Sequence, residues 1–335
     1  MIRRILSVAL LLGVSLLVFG RDASACSICR CGDPTFNAFG PDIYSAGKFR
    51  LAVDWDRFDK ENGTSDLGTA GSLRLAGPPS RRFSPRDAGN ITGNDAEVEN
   101  RVTATLSYSF GERVTAVVRV PWSFRHLTST DFDSGDSSTT VTNGLSDPEI
   151  YALVRIWGSS IWSEVGRRSW ISLVAGVKTP WGQNNLSEGG VRLDEHSQPG
   201  TGSTDVFGGL SAAYLIDRSS SLFGSIQYRA TGTNSYDYKY GNVTLANLAY
   251  ERKLGKVVDG VVELNYRHSQ MDRVAADGTT DPNTGGDILY LSPRVILDLG
   301  GGLVGRVGVQ IPIVKSLYGD QTERAVVGVG LTYLF

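Results

Sequence analysis

Apolar residues alternate with polar or small ones over long stretches of this chain. In RAVVGVGLTYLF, positions 324–335, one face of an extended strand holds Ala325, Val327, Val329, Leu331, Tyr333 and Phe335, and the other holds Arg324, Gly328, Gly330 and Thr332. Period-two alternation sustained this long is about twice the usual strand of a globular protein. It matches the roughly 9–11 tilted residues that cross a bilayer. GKFRLAVDWDRF repeats the pattern, with Phe49, Leu51, Val53 and Trp55 set against Arg50, Asp54 and Asp56. RVTATLSYSF does so again, and so do RVTAVVRVPWSF, PEIYALVRIW, SWISLVAGVK, DVFGGLSAAYLI, SLFGSIQYRA, NVTLANLAYERKL, GVVELNYRHS, DILYLSPRVILDL and GLVGRVGVQIPI. The count is about twelve strands.

The connections alternate in length. Long polar stretches near 59–95, 126–144, 181–203 and 270–286, a longer one near 231–240 and a final loop near 315–322 are interleaved with tight turns at 111–113, 217–220, 254–259 and 300–301 and a medium gap near 158–168. Bacterial outer-membrane barrels have this arrangement, with short periplasmic turns and long outside loops. The pattern predicts an all-β fold over 47–335, a transmembrane antiparallel β-barrel of about twelve strands of the outer-membrane type. An even count places both ends of the barrel in the periplasm.

The faces opposite the apolar ones carry the charges. Arg50, Asp54, Arg101, Arg119, Glu149, Arg155, Arg229, Glu263, Arg267 and Arg306 are the expected lumen-facing residues, with Glu99, Lys178 and Arg294 on the same faces. Mixed charge facing inward requires an interior that is wet or ion-paired. A soluble β-sandwich would instead show shorter strands packed on a second sheet. Trp55, Trp122, Trp157, Tyr266 and Phe335 fall near expected strand ends, where interfacial aromatic girdles belong.

Composition alone does not separate the two classes, because 40 glycines in 335 residues and 20 % charged residues suit either. Alternating strands also escape any hydropathy average. A net charge of −2 gives no reason to expect nucleic acid. The amino terminus changes the picture more. MIRR is basic, ILSVALLLGVSLLVFG is apolar, and RDASA ends in an A-x-A pattern, so residues 1–25 read as a secretory signal peptide cleaved after Ala25. Ala23 and the charged pair Arg21–Asp22 argue against lipidation of Cys26. The exported protein is expected in the cell outer membrane, in contact with its lipid.

Residues 26–46 form a cysteine-rich segment, expected at the periplasmic end or as a plug. Cys26, Cys29 and Cys31 are the only three cysteines in the chain. Two readings stay open. One is a disulfide plus a free thiol, which export permits. The other is a site for a soft metal ion such as Cu(I), zinc or an iron–sulfur cluster, for which three thiolates leave one position to be filled from elsewhere. Haem attachment is excluded, since Arg30 stands where C-x-x-C-H requires histidine.

Nothing marks an enzyme. His126, His196 and His268 are the only histidines, and adjacent His268 and Ser269 point to opposite faces of a strand. The acidic loop residues Asp131, Asp133, Asp136, Asp194 and Glu195 read as solvated loop more readily than as a calcium site.

Several phrases carry a resemblance: VPWSF (120–124), GLSDPEIYALVRIW (144–157), LVAGVKTPWG (173–182), GTGSTDVFGGLSAAYLI (200–216) and VGVQIPI with GVGLTYLF at the end. Their order and spacing resemble the outer-membrane family of the MetA-pathway of phenol degradation, whose relatives are hydrocarbon and fatty-acid uptake channels. The cysteine segment is not part of that pattern. The resemblance implies a transporter-like channel for small solutes, apolar or aromatic ones included. The alternative, suggested by the cysteines, is a sleeve or scaffold for a periplasmic redox partner such as a multihaem cytochrome.

Overall fold

A computed structural model of the protein describes residues 47–65, 91–111, 113–131, 134–158, 169–217, 219–281, 284–319 and 321–335. The expected signal peptide and cysteine segment, with Cys26, Cys29 and Cys31, lie outside the described residues. Twelve long strands form the wall. In chain order they are β1 Phe49–Ser65, β2 Ile91–Ser109, β3 Val114–Asp131, β4 Glu149–Gly158, β5 Ser169–Lys178 and β6 Asp205–Leu215. They continue as β7 Ser220–Ala230, β8 Val243–Lys253, β9 Val258–Ser269, β10 Gly286–Gly300, β11 Leu303–Leu317 and β12 Val326–Leu334. Each pairs antiparallel with its neighbours in sequence. β1 closes the ring, bonded to β12 from Arg50↔Leu334 to Arg57↔Val327 and to β2 along its other edge. Closure is what a bilayer demands, because a free strand edge in hydrocarbon would leave backbone groups without partners, at several kcal/mol each.

The alternation sorts side chains into two environments. Leu51, Val53, Leu106, Val118, Leu173, Leu210, Leu248, Leu264 and Leu331 point outward and are exposed on the barrel's exterior. Their neighbours along each strand, such as Thr105, Ser172 and Glu263, are buried inside. An exterior this apolar is stable only against lipid. Aromatic rings rim it at the short-turn end: Phe49 lies 4.4 Å from Tyr108 and 5.6 Å from Phe335, and Tyr108 lies 4.8 Å from Phe110 (ring centroids). Toward the other end, Trp55 and Trp122 fall in one row on either side of Val102.

Three local features differ from the expectation. β12 spans only nine residues, and Gln321–Glu323 separates from it to continue the pairing with β1 at Lys60–Asn62. β1 and β2 both extend into the expected loop near 59–95, pairing as far as Ser65↔Ile91. The polar run at 126–144 is a hairpin: β3 continues to Asp131, and Ser137–Leu145 pairs with its residues 122–130. Threonine and valine suit an extended backbone. Hydroxyls also pair across the strands, Thr130 with Ser137 at 3.0 Å and Thr128 with Thr139 at 3.4 Å. Above the membrane such a hairpin needs no apolar face, so periodicity could not announce it.

Candidate functional site: the loop across the barrel mouth

Three of the phrases quoted above converge on one point. Asp147, from LSDP, precedes β4; Lys178, from KTPWG, ends β5; and Thr201, Ser203 and Asp205, from GTGSTD, lead into β6. The Lys178 ammonium lies 3.0 Å from Asp147 Oδ2, 3.0 Å from Asp205 Oδ2 and 3.2 Å from Ser203 Oγ, and also donates to Thr201 Oγ1. Asp147 accepts from the Thr201 backbone N–H at 2.8 Å, the Thr201 hydroxyl at 2.5 Å and the Gly182 N–H at 2.9 Å. All five side chains are buried. Glycine at 200 is a packing requirement, since a Cβ there would stand 2.7 Å from the Gly182 Cα. This cluster pins both ends of loop 179–204 to the rim.

Between its pinned ends the loop crosses the mouth. It first forms a tight hairpin, Ser187–Glu188 against Val191–Arg192, and then a single 3-10 turn, Glu195–Ser197, capped by the Asp194 carboxylate. Gln198 holds the loop to itself, donating to the Leu186 and Leu193 carbonyls at 3.1 and 3.0 Å. On one side of the barrel, Arg125 of β3 donates to the His196 carbonyl at 2.6 Å, and Thr142 donates to the Ser197 carbonyl at 2.8 Å. On the other side, His196 Nε2 lies 3.0 Å from Tyr238 Oη, 3.6 Å from Asp272 and 3.9 Å from Asp281. Asp272 and Asp281 follow β9, which stands half the ring away from β3. The loop therefore bridges the bore. Asn234 adds bonds to Glu195 and to the Thr201 carbonyl, both 3.0 Å, and Tyr240 donates to the Glu195 carbonyl at 2.9 Å. Burial first, and the Asp272 carboxylate next, push the Tyr238 phenol well above its ordinary range. It thus stays a donor to Asp272, at 3.1 Å.

Beneath the loop the wall is lined by ion pairs. Glu99 accepts from Arg101 at 2.7 Å and from Ser123 at 2.7 Å, and Lys60 and Arg125 each lie 3.7 Å from it. Glu149 joins Arg119, at 3.1 Å, to Arg229. Glu263 pairs with Arg294 at 2.8 Å, Glu323 with Arg267 and Tyr290, and Asp54 with Arg306. Arg50 reaches Thr332 at 3.4 Å, and Arg155 is buried on the inward face of β4. Accessibility is uneven: Glu99 and Glu263 side chains are 0 % exposed, whereas Arg306, Asp54 and Arg119 keep 14 %, 20 % and 16 %. The Asp54–Arg306 layer therefore leaves room for water beside it.

Alternation assigns faces strand by strand and carries no signal of the cluster at the rim. Its residues sat in phrases that read as scaffold, and the available signal was that each phrase lies at a long-loop end of a strand. Glu195, expected as solvated loop, is built into the crossing beside His196: it is buried and pairs with Arg192 at 2.7 Å. His268 points outward with its Nδ1 3.0 Å from Asp287, while Ser269 is buried on the inner side, so the two do not meet.

No protein-family model matches the chain, and no curated protein matches it. Among solved structures, the COG4313 outer membrane channel from Pseudomonas putida F1 is similar with a TM-score of 0.55 at 11 % identity, covering 87 % of this chain and 97 % of that one. The translocator domain of autotransporter NalP from Neisseria meningitidis gives 0.44 at 11 % identity, over 89 % and 92 % of the two chains. The CymD monoaromatic hydrocarbon channel gives 0.43 at 8 % identity, over 94 % and 95 %. The first likeness establishes the fold, and the other two share only a barrel outline. Ring closure, apolar exterior and this likeness define the class: a twelve-stranded outer-membrane β-barrel.

Proposed function

We propose that the protein is an outer-membrane channel for small polar solutes, with loop 179–204 as its constriction. The observation that carries this reading is the partly exposed charged layer at Asp54, Arg306 and Arg119 below a loop held by hydrogen bonds and ion pairs. Burying so many charges in a dry bore would cost several kcal/mol per ion before pairing, which pairing repays only in excellent geometry. A wet path needs no such compensation. A polar latch can also exchange its bonds for water, which suits a constriction that opens. The layered arginines and carboxylates favour solutes that carry hydroxyl or charged groups over bare hydrocarbons. The sleeve for a redox partner gains no support from the described residues, because the protein's own loop crosses the mouth.

Reconstitution tests this directly. The purified full-length protein is expected to give discrete conductance steps in planar bilayers, and to let proteoliposomes swell in small sugars. Silent bilayers together with unswollen liposomes, from protein that remains a heat-modifiable barrel, would refute the channel.

A further inference from the structure

A second charged feature lies on the outer flank of the barrel and takes no part in the bore. The loops after β7 and β9 meet in a two-stranded ribbon, Tyr238–Lys239 against Arg273–Val274. Successive side chains of a strand point to opposite sides. Tyr238, Tyr240 and Asp272 are buried toward the mouth loop, so Lys239 and Arg273 face out. The register sets these two cations directly opposite each other. Like charges in that position are destabilising by themselves. No ion pair joins either of them to a carboxylate among the described residues.

They overhang a cavity of about 310 Å³, whose wall also includes His268, Gln270, Asn242 and Tyr318. Two cations joined to no carboxylate among the described residues, set side by side on one space, are an anion-binding pair. Asp287, on the outer wall beside His268, is engaged by His268 and by Tyr266. Height identifies the anion. Along the outer face of β9, Val262 and Leu264 are exposed apolar residues, Tyr266 follows, and His268 comes next. The cavity thus begins where the apolar belt ends, at headgroup level on the long-loop side. On an outer-membrane barrel that side is the outer leaflet.

We infer that this cavity binds a phosphate group on the headgroup of an outer-leaflet glycolipid. The inference rests on the barrel's outer-membrane placement and not on its conductance. Purified full-length protein in detergent would be titrated with bisphosphorylated lipid A, with its dephosphorylated form and with inorganic phosphate. The Lys239→Gln/Arg273→Gln variant should bind bisphosphorylated lipid A about 25-fold more weakly, equivalent to about 1 kcal/mol for each cation removed. Lys253→Gln/Lys256→Gln, with the same charge change at the opposite rim, should bind like the unaltered protein. Conductance and heat-modifiability should stay unchanged in both variants. Equal weakening in the two variants, or none in either, would overturn the proposal. So would equal affinity for the dephosphorylated lipid, or inorganic phosphate binding as tightly as the lipid.

Discussion

Replacing Asp147 with Asn tests whether the rim cluster is what keeps loop 179–204 across the bore. The change preserves volume but removes the charge that faces Lys178 at 3.0 Å. It also puts an amide N–H₂ where donors already converge, so either the Gly182 N–H on Oδ1, or Lys178 with the Thr201 N–H and hydroxyl on Oδ2, loses its acceptor. Breaking a buried ion pair costs about 3–5 kcal/mol when a charge is stranded. Here Asp205, also 3.0 Å from the ammonium, remains as a partner, so Lys178 is not left alone. The loss is then that of charge-assisted hydrogen bonds, about 1.5–3 kcal/mol. Nearly all of it falls on the docked state, since an undocked loop has its donors in water. A cost of about 2.8 kcal/mol would raise the undocked fraction roughly 100-fold. Arg192, stacked 3.5 Å from the centre of the Tyr236 ring when the loop is docked, reports the change as a trypsin site. Cleavage after Arg192 should accelerate toward that factor, and single-channel records should show longer or more frequent open events. The reasoning fails if Asp147→Asn leaves both cleavage rate and open probability at the level of the unaltered protein in an intact barrel.

Leu106→Arg should destabilise the barrel by about 2–4 kcal/mol, because Leu106 faces lipid between Leu51 and Val118. Thr105→Glu, buried inside beside Arg119, should cost far less; equal shifts of the two in urea unfolding from detergent or lipid would contradict the assigned faces. Deleting Tyr333–Phe335 removes the paired bonds between Phe49 and Phe335, 2.9 and 3.0 Å, and the ring contacts at the seam. The expected result is loss of the heat-modifiable species from the outer-membrane fraction, which immunoblotting measures. Replacing Cys26, Cys29 and Cys31 with Ser should leave barrel assembly and conductance intact. Metal analysis of the reduced protein beside that variant then separates a soft-metal site, with metal only in the unaltered protein, from a disulfide, with metal in neither.

The strands were legible because a barrel wall imposes one rule on each residue. Leu106 must meet lipid and Thr105 must not, and that rule repeats every second position regardless of what lies across the barrel. The long and short connections were equally plain, since turn length is a local property. Pairing inside the bore was not legible. Glu149 between Arg119 and Arg229, or Arg267 beside Glu323, depends on how closure brings distant strands around one axis, and alternation states only that each side chain points inward. The hairpin at 126–144 escaped for a different reason, because strands above the membrane carry no apolar face to reveal them. The same holds for the mouth. Asp147, Lys178, Thr201 and Asp205 come from three separate phrases, and only tertiary structure sets both carboxylates 3.0 Å from the Lys178 ammonium and the Thr201 N–H 2.8 Å from Asp147. Period and turn length are short-range consequences of the bilayer and the backbone. The latch, the bore and the outer cationic cavity arise from long-range juxtaposition, which the chain specifies but does not display along its length.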